Sequence, residues 1–148
     1  MGDRETHNRA MALVDEAGEA QASGRLKRAR DLFAQAAQIE QSCADAAGGD
    51  QPRTQGILRI SAVSMWREAG ELGRARALAQ RYLDAGLSTG FARELHELLA
   101  TIDDEIAALE HVPAVSSGEA EQLLRALGPL EEEIAKGTVP RVAVRNAA

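Results

Sequence analysis

Gly24-Arg-Leu-Lys-Arg-Ala-Arg-Asp-Leu32 returns 46 residues later as Gly70-Glu-Leu-Gly-Arg-Ala-Arg-Ala-Leu78, with six of nine positions identical. In each copy the glycine closes a segment rich in Ala and Glu. It also opens a second segment whose Leu, Ala and Leu fall three apart on one helical face. Glycine tolerates the positive φ that ends a helix, so the repeated object reads as a helix-turn-helix hairpin.

Outward from these turns, helical periodicity extends over most of the chain. A first helix is predicted over residues 6–22, with Met11, Leu13, Val14, Ala17 and Ala20 on two overlapping apolar edges. The small Ala17, Gly18 and Ala20 suit close approach of a partner helix. A second helix, residues 25–46, carries Leu26, Ala29, Leu32, Phe33, Ala36 and Ile39 as its stripe. Its basic residues Arg25, Lys27, Arg28 and Arg30 crowd the N-terminal turns, where the helix dipole disfavours cations, so Glu16 or Glu19 across the turn is the expected counter-charge.

After Gly48-Gly49, Asp50 is placed to cap and Pro52 to start a third helix over residues 52–69, with Ile57, Ile60, Val63 and Trp66 as its bulk. Gly56 inside it costs about 1 kcal/mol relative to Ala, which calls for a close crossing or a bend. A fourth helix follows over residues 71–85, then a fifth over 89–110 capped by Ser88 and anchored by Phe91, Leu95, Leu98, Leu99, Ile102, Ile106 and Leu109. Ser116 and Glu119 form a capping box for a sixth segment, residues 117–136, interrupted at Gly128-Pro129. The alternating residues 137–148 read as a flexible tail. The expectation is one domain over residues 1–136, with hairpins at 6–46 and 52–85 and further helices at 88–110 and 117–136.

Composition agrees with an all-α class: 45% of the 148 residues are apolar, mostly Ala and Leu, with one Trp, one Tyr and two Phe. The net charge of −6 is unevenly spread. Residues 1–83 hold 12 basic and 11 acidic side chains, and residues 84–136 hold 3 and 12. That balance speaks against a general nucleic-acid binder, which needs a concentrated positive field. Cys43 is the sole cysteine, so no internal disulfide forms; it reads as a small buried hydrophobe. With no membrane-length apolar run and no signal-type start, cytoplasmic residence is the default expectation.

No catalytic set emerges. His7, His96 and His111 share no helical spacing with one another or with Cys43, and Asp103-Asp-Glu and Glu131-Glu-Glu read as solvated charge runs. Phosphate loops, nucleotide fingerprints and serine elbows do not occur. Neither a cofactor nor a metal is expected, and the chain reads as non-enzymatic.

At the hairpins the sequence resembles the tetratricopeptide family. The resemblance rests on Leu13, on the small residues Ala17 and Val63 of the first helices, on Ala29 and Ala75 after the turns, and on Phe33 with Ala36 and Ala79 with Tyr82 in the second helices. The second copy departs by Arg59 where the family has Trp or Leu, and by lacking the Pro that usually follows. Its 46-residue spacing also exceeds the family's usual 34. The resemblance implies antiparallel hairpins stacked as a short right-handed solenoid with C-terminal capping helices. It also implies a groove lined by the first helix of each hairpin: Met11, Val14, Gly18 and Gln21, then Ile57, Ile60, Ser64 and Arg67. Family members that grip acidic C-terminal tails carry Lys and Asn where Val14 and Gly18 stand, so that clamp is not implied. An apolar or amphipathic peptide suits the groove, read by Gln21 and Arg67.

The functional expectation is a protein- or peptide-binding adaptor with Trp66 either in the core or as a binding anchor. Two alternatives stand beside it. One is self-association as a homodimer through the heavy apolar stripe of residues 91–109. The other is an anionic-ligand stripe of Arg25, Lys27, Arg28, Arg30, Arg74 and Arg76, the last two being repeat equivalents of Arg28 and Arg30.

Overall fold

The computed structural model describes residues 2–111, with side chains from Arg4, and beyond them Gly118, Glu121, Gln122 and Arg125. The chain divides into two compact units, Met1–His111 and Val112–Ala148. The expected single domain runs past this division, and its sixth helix falls almost wholly outside the described residues. In the second unit Arg125 Nη2 lies 3.9 Å from Glu121 Oε2, one helical turn away.

The first unit is all helix: α1 Gly2–Ala22, α2 Leu26–Ala46, α3 Pro52–Glu68, α4 Leu72–Ala85 and α5 Thr89–Glu110. The first helix starts four residues before its expected onset, and Glu5 suits the positive end of its dipole. The repeated turns are geometric twins. Gly24 and Gly70 have φ of 77° and 78°. Gly24 N–H donates to Gln21 O and Arg25 N–H to Ala20 O, just as Gly70 donates to Arg67 O and Glu71 to Trp66 O. Both are Schellman closures, which satisfy the last carbonyls of one helix and turn the chain into the next within three residues. An L side chain at either glycine would be strained, which is why the sequence echo is anchored there.

Helix α2 packs against both α1 and α3, α4 against α3 and α5, and α3 also against α5. One buried cluster joins the helices: Ala10, Ala17 and Ala20 of α1 and Ala29, Leu32, Phe33, Ala36 and Ala37 of α2, with Val63, Met65, Trp66, Leu78, Tyr82, Leu95 and Ile102 as its larger members from α3, α4 and α5. Cys43 is buried, as its composition-based reading expected.

Several local expectations change. Gly18 is exposed, with open space where a Cβ would stand, so of the three small residues expected at a helix crossing only Ala17 and Ala20 are buried. Leu26 is 57% exposed because it is the first residue of α2, beyond the end of the α1 face. Gln51, not Asp50, is the N-cap of α3; no side chain caps it, and the Asp50 carboxylate instead folds over Gly48. Ser88 caps α5 by position, with its backbone carbonyl accepting from Ala92 N–H rather than through its hydroxyl. Gly56 resolves to the close crossing: a Cβ there would stand 2.5 Å from Phe91 Cδ2, so the Phe91 ring of α5 lies directly on the α3 backbone.

This crossing predicts that Gly56→Val lowers unfolding stability by about 1–3 kcal/mol through overpacking. Urea denaturation followed by circular dichroism would show the loss, and adding Phe91→Ala should leave the Gly56→Val increment smaller than in the parent background.

Candidate functional site

Among the cavities that open on the described part of the first unit, one of about 600 Å³ is a cleft between α2 and α4. Its walls follow helical periodicity: Gln38, Gln41, Ser42 and Asp45 stand at i, i+3, i+4 and i+7 on α2, and Arg74, Ala77, Leu78 and Arg81 stand at the same spacings on α4. Between them Trp66 of α3 forms the floor.

Trp66 is 2% exposed, so its ring belongs to the core that joins the hairpins. Its indole N–H donates to Gln41 Oε1 at 2.9 Å. Buried indole N–H groups cost stability unless paired, so this bond fixes which end of the Gln41 amide faces the tryptophan. Arg74 lies over the ring, with Cζ 4.5 Å from the centroid. Such cation–π contacts are worth roughly 0.5–2 kcal/mol, more as the site is desolvated.

At the far end of the cleft, Asp45 accepts from Arg81 Nη2 at 2.8 and 3.0 Å and from the Tyr82 hydroxyl at 3.1 Å. Arg59 and Arg81 approach the Tyr82 ring at 5.0 and 5.2 Å. Arg59 also donates to Gly86 O at 3.2 Å, beside the positive-φ glycine that ends α4. Burial, then the Asp45 charge, pushes the Tyr82 phenol up to about 12.

The second cavity, about 300 Å³, lies between the starts of α1 and α3 and the end of α2, and includes Arg4, His7, Cys43, Ile57 and Leu58. Behind it is Glu40, fully buried, with Oε2 3.1 Å from His7 Nδ1 and Oε1 without a partner. The third, about 570 Å³, is flanked by Arg30, Leu72 and Leu109 and by the Arg67–Glu105 pair. Arg67 Nε reaches both Glu105 oxygens, at 2.9 and 3.1 Å. Those hydrogen bonds hold the Glu105 carboxyl below its ordinary range.

The residues expected to line one groove are distributed. Met11, Val14, Ile60 and Ser64 are half-buried, the first three packed against the core. Gln21 is exposed on α1, Ile57 borders the second cavity and Arg67 the third. No one of these three cavities gathers them. The expected basic stripe is also divided. Arg28 Nη2 pairs with Glu16 at 2.8 Å, the counter-charge anticipated across the turn, and Arg76 pairs with Asp103 at 2.9 Å. Arg25 Nε donates to Ser23 Oγ at 3.1 Å. Lys27 is exposed, and Arg30 stacks beside Gly70. Arg74 is in no ion pair among the described residues.

Sequence reasoning missed Gln38, Gln41, Asp45 and Arg81, because a polar stripe opposite an apolar one ordinarily faces water. One usable signal lay in the 46-residue offset. The equivalents of Glu16 and Ala20 are Ala62 and Trp66, so the second hairpin replaces the carboxylate partner of its arginine with an aromatic ring. Among the described residues no group of three or more His, Cys, Asp and Glu side chains is placed to hold a metal ion. None of their helices is long and apolar enough to cross a membrane.

Tyr82 is the only tyrosine, so its ionisation can be followed by ultraviolet absorbance without overlap from another phenol. The folded protein should titrate with a midpoint near 12 rather than the ordinary 10. A raised folded value means that the Tyr82 contribution to stability is complete below the unfolded midpoint and is lost as pH rises through the folded one. Asp45→Asn should lower the midpoint.

Comparison with protein-family models, with curated proteins and with solved structures finds no match, so what the cleft does has to be derived from its own side chains.

Proposed function

We propose that the protein is a non-enzymatic adaptor that binds a peptide segment of another protein in the α2–α4 cleft, on a short right-handed tetratricopeptide-like array of hairpins. Support for the array comes from the twin Schellman turns 46 residues apart and from the serial packing of α2 on α3 and α3 on α5. Support for binding comes chiefly from one observation: the cleft is open, its floor is the buried Trp66, and its rim is the exposed Arg74, which no carboxylate among the described residues engages. A cleft of this size with an aromatic floor and a few fixed polar groups has the make-up of a recognition site. Two facing helices spaced by regular i, i+3, i+4 and i+7 positions suit an extended or helical segment lying along them.

The other readings find less support. Two arginines of the basic stripe are paired with carboxylates, Arg28 with Glu16 and Arg76 with Asp103, which weakens a continuous field for nucleic acid. The apolar stripe of α5 is largely turned inward, with Leu95 and Ile102 buried and Leu98, Leu99 and Ile106 packed against the core. Leu109, at 67% exposure, is the one large apolar side chain that it offers outward among the described residues.

Selection of a random dodecamer library on the intact chain tests the proposal, with Trp66 as a built-in reporter because the chain has no other tryptophan. Enriched peptides should shift Trp66 emission on titration and should lose affinity with Gln38→Ala/Ser42→Leu, an exposed change in the wall. Absence of enrichment, or binding that leaves the emission and the wall variant indifferent, would remove the cleft as the recognition site.

A further inference from the structure

We propose that the α2–α4 cleft selects acidic peptides, taking the carboxylate of an Asp or Glu side chain on Arg74 with the Gln41 amide as a second donor. This rests on the reading that the cleft binds a peptide, and adds the chemical class of what it takes.

The inference follows from counting which hydrogen-bonding groups in the cleft are already engaged. Both Asp45 oxygens accept from Arg81, and one also accepts from Tyr82. Gln41 Oε1 accepts from the Trp66 indole. The acceptors beside Trp66 and Arg81 are thus satisfied from within, which leaves the Gln38 amide oxygen and the Ser42 hydroxyl farther along α2. Two donor groups of the cleft are not satisfied. Once the Gln41 oxygen is fixed on Trp66, its NH2 end has no partner among the described residues, and Arg74 has the Trp66 ring as its neighbour but no acceptor among them. Arg74 is exposed and lies over the ring without a hydrogen bond or ion pair among the described residues, which leaves its N–H groups available to a ligand.

The repeat shows why Arg74 differs from its counterpart. Arg28, at the equivalent place in the first hairpin, is tied to Glu16 at 2.8 Å. The corresponding residue in the second hairpin is Ala62, buried and without charge, so Arg74 lacks the counter-charge that Arg28 has there. Surplus donors carrying a positive charge are complemented by a carboxylate, and charge-assisted hydrogen bonds to planar guanidinium are among the stronger polar contacts. Ala77 and Leu78 sit one turn along α4 from Arg74, so an apolar residue beside the acidic one fits the wall. The site lies on the second helices of the hairpins, away from the first-helix groove that the family resemblance implied.

C-terminally amidated peptides enriched on the intact chain supply the probes, so that the acidic side chain is the only carboxylate at that end. The expected sequences carry Asp or Glu next to an apolar residue. Replacing that residue by Asn or Gln should weaken binding by about tenfold or more, and Arg74→Gln should weaken the acidic peptide equally. The two changes together should cost little beyond either alone, and raising salt should weaken the acidic pair but not the neutral one. Arg74 is exposed, so its variant should keep parental helicity, with the urea midpoint lowered only by loss of the Trp66 contact, and Arg74→Lys, which keeps the charge, should retain part of the acidic preference. Enriched peptides that lack an acid, or that tolerate Glu→Gln within twofold, would overturn the acidic assignment while leaving peptide binding intact. Binding that needs a free C-terminus would overturn the side-chain assignment. A library that yields no binder would overturn both.

Discussion

Trp66 is the side chain that the two hairpins share, and much of the first unit is arranged around its burial. Removing so large an aromatic surface from water is worth roughly 2–3 kcal/mol, but only if the indole N–H finds a partner. Gln41 of α2 supplies that partner and Arg74 of α4 closes the ring from above. The tryptophan on α3 therefore links three helices while keeping α2 and α4 apart at the surface. The cleft is a consequence of that separation: a ring wide enough to fill the interior also prevents the second helices from closing over it.

The two hairpins solve the same local problem differently. Their turns agree in glycine conformation and in hydrogen bonding, because the Schellman geometry depends on a backbone condition that the sequence repeats. Their charges diverge because those depend on residues outside the repeated stretch. In the first hairpin Arg28 meets Glu16; in the second, the same arginine has an alanine where the glutamate was and a tryptophan where an alanine was. Polar links then recur farther along the chain. Arg81 and Tyr82 tie α4 to Asp45, Arg67 ties α3 to Glu105, and Arg76 ties α4 to Asp103. At these half-exposed positions they contribute modestly each and serve mainly to fix register between helices that small residues allow to slide.

Much of the described fold was legible because it rests on local rules. Glycine at positive φ marked two turns, Pro52 marked the start of α3, and periodicity gave five helices whose bounds agree to within a few residues, apart from the earlier start of α1. Gly56 announced a close crossing but not its partner, since Phe91 lies 35 residues away and no periodicity connects them. The site was much less legible. Trp66 and Arg74 were singled out, yet Gln41, Asp45 and Arg81 sit on polar faces that look solvated until the packing of α2 and α4 around α3 is known. The residues expected in a groove were chosen on α1 and α3 by resemblance, whereas the cleft floored by Trp66 opens between α2 and α4. Which face of a hairpin opens is decided by side-chain volume between helices, and that is a tertiary property.

The difference between those two faces can be measured directly by nuclear magnetic resonance, by titrating an enriched peptide into the uniformly nitrogen-labelled chain and mapping the shifted amides. Recognition in the cleft predicts the largest changes in residues 38–45 of α2, residues 74–81 of α4 and the Trp66 indole. Changes concentrated instead in residues 11–21 of α1 and around Ile57 and Ile60 of α3, with the indole unmoved, would contradict it and place recognition on the first helices.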